Sequence, residues 1–216
     1  MDWREARSLT WADGSRGNGA AVRVGPLACI HPTDDALLAR RAADSAALTH
    51  AHDDAIAGAV LFALAVAAVL RCPEPRALDP LTFLDGVAAH AGPEYGRRLA
   101  VCAAMLARTD ATATDAASEI GHGPLAVESV CLAVYAFARW HDCFEATVVN
   151  ATRLGGDTDS IGALAGTLAG ALHGVTQIPA TWLAALENGH RGRDFATALA
   201  ARLAMRTEFP PSGASG

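Results

Sequence analysis

A chain of 216 residues that is 51 % hydrophobic, 19 % charged and 6 % aromatic is long enough to bury one sizeable core, and an apolar share carried by Ala, Leu and Val favours closely packed helices. The formal charge of -6, from 23 acidic against 17 basic residues with no Lys/Arg-rich run, argues against nucleic acid as a partner. Five cysteines without C-x-x-C spacing, and an opening MDWREARSLTW with no continuous apolar core, lead us to expect reduced thiols and a cytoplasmic, non-secreted chain.

In chain order, the first thirty residues are glycine-rich and aperiodic, after which helical signals follow one another and no strand alternation is found. Asp34 is expected to cap a helix running to about Leu48, and Asp53 the apolar helix that ends before Pro73. The uncharged run Ala55–Leu70 falls short of the roughly 20 residues of a bilayer crossing. It reads as a central buried helix, with no membrane partner expected. Asp79-Pro80 starts the next helix, and Pro93, Thr114 and Pro124 open three more, of which LAVESVCLAVYAFARW is the clearest. Further helices are expected over Asp142–Val149, from within GGDTDS, from Pro179 and near Arg193. With no repeat and no linker, the chain reads as a single all-α domain over residues 1–208, followed by a flexible tail over 209–216.

Residues 155–160, Gly-Gly-Asp-Thr-Asp-Ser, stand at the head of IGALAGTLAGALHG. Its glycines, Gly162, Gly166, Gly170 and Gly174, recur every fourth residue and share one helix face, where a neighbouring helix can approach closely. Glycine inside a helix costs about 0.5–1 kcal/mol relative to alanine, so four of them need a packing reason. Asp157, Asp159 and Ser160 are hard oxygen donors of the kind Mg²⁺ or Mn²⁺ prefers; the plain alternative is an ordinary N-cap with the second carboxylate favoured by the helix dipole.

The run NATRLGGDTDSIGALAGTLAGALHG resembles the C-terminal signature of the ADP-ribosylglycohydrolase family, with Ser160 where the family has a second threonine. GSRGNGAAVRVGPL, residues 14–27, is similar to the family's glycine-rich diphosphate loop and its Met-Arg-x-x-Pro segment, with Val22 in place of the methionine. The amides of Gly17, Asn18 and Gly19 can form an anion-binding nest without a lysine, and Arg16 stands where family members often carry an aromatic residue near the adenine. AALTHAHDDAIAGAV and IGHGPLAVESVCLAVYAF resemble two further segments of the family.

The resemblance implies an all-α, single-domain orthogonal helical bundle of the ADP-ribosylglycohydrolase type that lacks the family's N-terminal helices, with apolar surface uncovered on its central helices. It implies a hydrolase that removes ADP-ribose from modified side chains or related ADP-ribosyl compounds, by Mg/Mn-assisted attack of water at the anomeric carbon. Asp157 and Asp159 are the implied catalytic residues, with Ser160 joining them as a metal ligand. Gly14, Ser15, Arg16, Gly17, Asn18, Gly19, His50 and Gly123 are the implied ligand contacts. The family uses two Mg²⁺ or Mn²⁺ ions. Its Gly-Asp-x-x-Gly and Thr-Asp-Asp-Thr motifs have no counterpart before the glycine loop here, so one weakly held ion or none is expected, and a catalytically impaired ADP-ribose-binding relative is the alternative. Thr33-Asp34-Asp35 imitates the missing motif but lies after the loop, and reads instead as a helix cap. The expected partners are ADP-ribose or ADP-ribosylated protein.

Overall fold

Residues 13–205 are described by a computed structural model of the chain, so the expected tail over 209–216 lies outside the described residues. Among the described residues there are eleven α-helices and no strand; the one β-type contact is an isolated antiparallel bridge between Gly17 and Leu125.

Helix α1 (Gly19–Ile30) forms where the sequence carries no periodic signal. Its buried face is made of Ala20, Ala21, Val24, Gly25 and Ala28, residues too small to print an apolar stripe but small enough to bring backbones together. A Cβ at Gly25 would stand 2.9 Å from the Thr167 methyl group of a later helix. Helix α2 (Asp35–Ala47) begins as expected, with the Asp34 carboxylate accepting from the Leu37 amide at 2.9 Å, while Asp35 pairs with Arg71 at 2.7 Å. Thr33-Asp34-Asp35 is thus a cap plus an ion pair, with the aspartate alone doing the capping.

Helix α3 (Asp53–Leu70) is capped by His52, whose Nδ1 accepts from the Asp54 amide at 3.1 Å; Asp53, expected as the cap, falls one residue inside and adds its charge to the first turn. This helix is apolar and long enough by composition to cross a membrane, with mean hydropathy 2.0, yet 61 % of it is buried inside the fold. A short 3₁₀ turn (Pro75–Ala77) leads to α4 (Pro80–Ala88), capped by Asp79 on the Thr82 amide at 2.8 Å. Then come α5 (Pro93–Ala107) and α6 (Ala113–Ile120). Thr112, two residues before the expected Thr114, starts α6, because it closes a reciprocal capping box with Asp115.

Helix α7 (Ala126–Trp140) is buried over most of its length, and α8 (Phe144–Arg153) and α9 (Thr158–His173) form a close pair beside it. A second 3₁₀ turn (Val175–Gln177), α10 (Ala180–Ala185) and α11 (Arg193–Ala204) complete the described chain. One continuous apolar core runs from Ala20 to Ala169 with α3 and α7 at its centre: α1 and α2 cover α3, α5 and α9 cover α7, and Phe83 of α4 meets Phe137 of α7 edge-on at 5.3 Å. Apolar surface was expected on the central helices. Instead these are sheathed, and the large exposed apolar side chains include Val22 and Ile30 on α1 and Phe195 and Leu199 on α11.

The glycine face of α9 is used as its spacing implies. A Cβ would stand 2.8 Å from Thr152 at Gly162, 3.4 Å from Val148 at Gly166 and 3.9 Å from Phe144 at Gly170, all three neighbours lying on α8. Gly174 does not belong to this face: at φ +72° it is the residue that ends the helix. Glycines without such neighbours should behave oppositely. Gly86 in α4 and Gly96 in α5 have nothing within 4 Å of a Cβ, so Gly86→Ala and Gly96→Ala are each expected to stabilise the fold by about 0.5–1 kcal/mol, read as a rise in the denaturant midpoint at unchanged slope.

Candidate functional site

The glycine loop crosses the start of α3. Gly14, at φ +82°, is packed so that a Cβ would lie 2.5 Å from the His52 amide nitrogen, which leaves glycine as the residue that fits. Ser15 Oγ accepts from the Gly17 amide at 3.2 Å, and Asn18 donates its amide to the Pro124 carbonyl at 3.1 Å, while Ala126 returns a bond to the Arg16 carbonyl at 2.9 Å. Main-chain bonds therefore strap the loop to the start of α7. Of the three amides expected to form a nest, those of Gly17 and Asn18 are engaged within the protein. One step on, the N-terminus of α1 begins at Gly19, where no side chain caps the first turn.

Arg16 does not reach out freely, because its Nη2 lies 2.5 Å from Asp54 Oδ2, with His52 Nδ1 3.6 Å from the same carboxylate. A cavity of about 500 Å³ opens beside this pair, lined by Asp13, residues 14–17, His52 and the Pro124-Leu125 step, a volume suited to a nucleotide-sized ligand.

The turn before α9 meets the end of the glycine loop at Asn18 from 139 residues away. Gly155 and Gly156 both adopt positive φ, at +81° and +70°, and reverse the chain; the Asp157 amide then donates to the His122 carbonyl at 2.9 Å. Asp157 occupies the N-cap position of α9, yet its carboxylate makes no cap bond: Oδ2 accepts from Asn18 Nδ2 at 2.6 Å. Asn18 is 8 % exposed, so this bond joins the buried end of the glycine loop to the acidic turn.

Asp159 Oδ1 accepts from the Ser160 amide at 2.9 Å. A hydrogen bond with the Asp157 carboxyl group, followed by the Ser160 amide, holds the Asp159 carboxyl below the usual carboxylate range. Two carboxylates within reach of each other repel unless a proton or a cation lies between them, and Ser160 is the next residue in the chain. The donor set is all hard oxygen and fits a divalent ion of the Mg²⁺ class in kind. In number it is short: among the described residues no group of three His, Cys, Asp or Glu side chains stands together.

His50 follows α2, and its ring edge lies against Gly17 and Gly19, where a Cβ would come within 3.8 Å and 3.5 Å of it. Gly123 is near the cleft, but its amide is taken by Glu128 Oε2 at 2.9 Å. Glu128 in turn faces Arg98, whose Nη2 is 3.8 Å from Glu128 Oε1 and whose Nη1 donates to the Ile120 carbonyl, so residues 120–123 are clamped from α5 and α7. The residues that build this clamp, together with Asp54, His52 and the His122 carbonyl, carry no signal in the sequence beyond their place next to quoted motifs.

The fold is all-helical among the described residues and joins the glycine loop to the acidic turn. The model of the ADP-ribosylglycohydrolase family matches residues 2–212, and the chain belongs to that family. It is 34 % identical to the ADP-ribosylhydrolase ARH3 of Xenopus tropicalis, covering 88 % of this chain and 61 % of that protein, and 33 % identical to ARH3 of Homo sapiens, covering 82 % and 55 %. An uncharacterized protein, YegU, of Escherichia coli strain K12 is 34 % identical over 85 % of this chain and 58 % of its own. A solved structure described as an ADP-ribosylglycohydrolase-related protein complex superimposes with a TM-score of 0.70 at 29 % identity, covering 94 % of this chain and 66 % of that one. The chain thus spans between about half and two thirds of the length of these relatives.

Proposed function

We propose that this chain acts as a hydrolase of ADP-ribosyl compounds, removing ADP-ribose from modified protein side chains. The observation that carries this reading is the Asn18–Asp157 hydrogen bond at 2.6 Å, which couples an anion-suited loop to an acidic turn. The diphosphate would lie on residues 14–19 and the first turn of α1, and that anchorage holds the reacting ribose against Asp157 and Asp159. Hydrolysis adds a water oxygen to the anomeric carbon and breaks its bond to the acceptor atom; one water proton passes to the acceptor, and the Asp157 carboxylate is suited to orient the attacking water.

Asp157, Asp159 and Ser160 are the residues that would hold Mg²⁺ or Mn²⁺, which supplies Lewis-acid chemistry when bound. A second reading, a binder of ADP-ribose without turnover, is favoured by the small donor set around the turn. A cytoplasmic setting belongs to the same proposal and is supported by the five cysteines, all of them free.

Calorimetric titration with ADP-ribose, combined with an assay of ADP-ribose release from serine- and arginine-modified protein with and without Mg²⁺, tests both readings. Binding with Mg²⁺-dependent release supports the hydrolase, binding alone supports the second reading, and absence of binding overturns both.

A further inference from the structure

His50 faces the loop through one ring edge and is held by the other. Its Nδ1 lies 2.7 Å from Thr49 Oγ1, and the same hydroxyl oxygen accepts from Arg23 Nη2 at 2.7 Å. Arg23 is itself fixed, with Nη2 also donating to the Ser45 carbonyl at 2.7 Å and Nη1 to the Gly19 carbonyl at 3.4 Å. A guanidinium can only donate, so the Thr49 oxygen accepts from Arg23; if His50 Nδ1 also donated to it, the hydroxyl hydrogen would have no protein acceptor among the described residues, whereas a bare Nδ1 supplies one. The arrangement in which every group is used is Thr49 donating to His50 Nδ1. The neutral ring then carries its own proton on Nε2, and the Nε2 edge is the one turned to the glycines: a Cβ at Gly17 would stand 3.8 Å from Nε2, and one at Gly19 3.7 Å. No protein acceptor meets Nε2 among the described residues.

We propose that Arg23 and Thr49 are positioning residues that lock His50 in its Nε2–H tautomer, so that the imidazole offers a hydrogen-bond donor to an anionic ligand at the mouth of residues 17–19. The ligand half of this proposal rests on reading that loop as the diphosphate cradle; the tautomer half does not. Burial, with the Arg23 charge second, pushes the His50 pKa below its ordinary value, so the ring is neutral near pH 7 and its tautomer decides what it displays. The glycines keep that ring edge open, because a side chain at Gly17 or Gly19 would start within 3.8 Å of it.

Long-range ¹H–¹⁵N correlation on the ¹⁵N-labelled full chain, at a pH well above the His50 pKa, reads the two ring nitrogens without any ligand. The expected spectrum has a protonated Nε2 and a bare Nδ1. Thr49→Val, which keeps the shape and removes the hydroxyl, is expected to give a tautomer mixture and to weaken ADP-ribose binding about tenfold, while Thr49→Ser restores both. A wild-type ring protonated at Nδ1, or a Thr49→Val spectrum identical to wild type, overturns the lock whatever ADP-ribose does. The expected tautomer in a chain that does not bind ADP-ribose leaves the lock standing and overturns the cradle reading with the ligand half of the proposal.

Discussion

Asp157→Ala is expected to lower kcat/KM for release of ADP-ribose from a modified protein by roughly 100-fold or more, since the variant loses both the carboxylate in the cleft and the partner that holds Asn18. The two losses can be separated. Asp157→Asn keeps an oxygen able to accept from Asn18 Nδ2 and removes the charge, so it should retain the loop geometry and the affinity for ADP-ribose while turnover falls nearly as far. Asn18→Ala should act the other way: the charge stays, but a half-buried carboxylate is left without its donor and the loop without its tie. Because the two side chains touch, the double variant Asn18→Ala/Asp157→Ala should be clearly less impaired than the product of the single effects, with a coupling of about 0.5–3 kcal/mol. Strict additivity in steady-state kinetics would show that the loop and the acidic turn act independently, against the proposed function.

Gly156→Ala is expected to destabilise the protein by about 3 kcal/mol or more, lowering the thermal midpoint by roughly 6–12 °C for a chain of this size. Its positive φ disfavours any side chain, and the added Cβ would stand 1.9 Å from the His122 carbonyl oxygen, an overlap that only displacement of the turn can relieve. That displacement breaks the bond from the Asp157 amide to the same carbonyl. Gly155→Ala is the internal control. It shares a positive φ, at +81°, but has nothing within 4 Å of its Cβ, so its loss should stay near 1–2 kcal/mol. Thermal unfolding followed by circular dichroism distinguishes the pair, and equal effects would mean that backbone conformation alone explains the glycine at 156.

What could be read from the sequence follows the range of the interactions involved. Helices with a broad apolar stripe, such as α7, and those started by Asp34 or Asp79 were legible because both signals lie within a few residues. The spacing of Gly162, Gly166 and Gly170 likewise foretold a close helix, though not that it would be α8. Helix α1 escaped because it packs through alanines and glycine, whose burial depends on what other segments bring to them. The caps at His52 and Thr112 were displaced by one and two residues, since several neighbouring side chains could each do the job and the tertiary path chose.

At the site, the residue types of the loop and of GGDTDS stood out, but the direction of each bond did not. That Asp157 turns to Asn18 and away from its own helix amides is decided by contacts spanning 139 positions. The Arg98–Glu128 clamp had no local signature for the same reason, since its parts lie on separate helices.

The segment from His122 to Ala126 holds one side of the cleft through the Asp157 amide and the other through the Arg16 and Asn18 main chain. A seam stitched by peptide groups is largely indifferent to which side chains hang from it. Replacements at His122 or Leu125 can therefore change the side chains along this stretch while the gap between the two halves keeps its width. Such a stretch can vary by single substitutions without any shift of the loop or the turn on either bank.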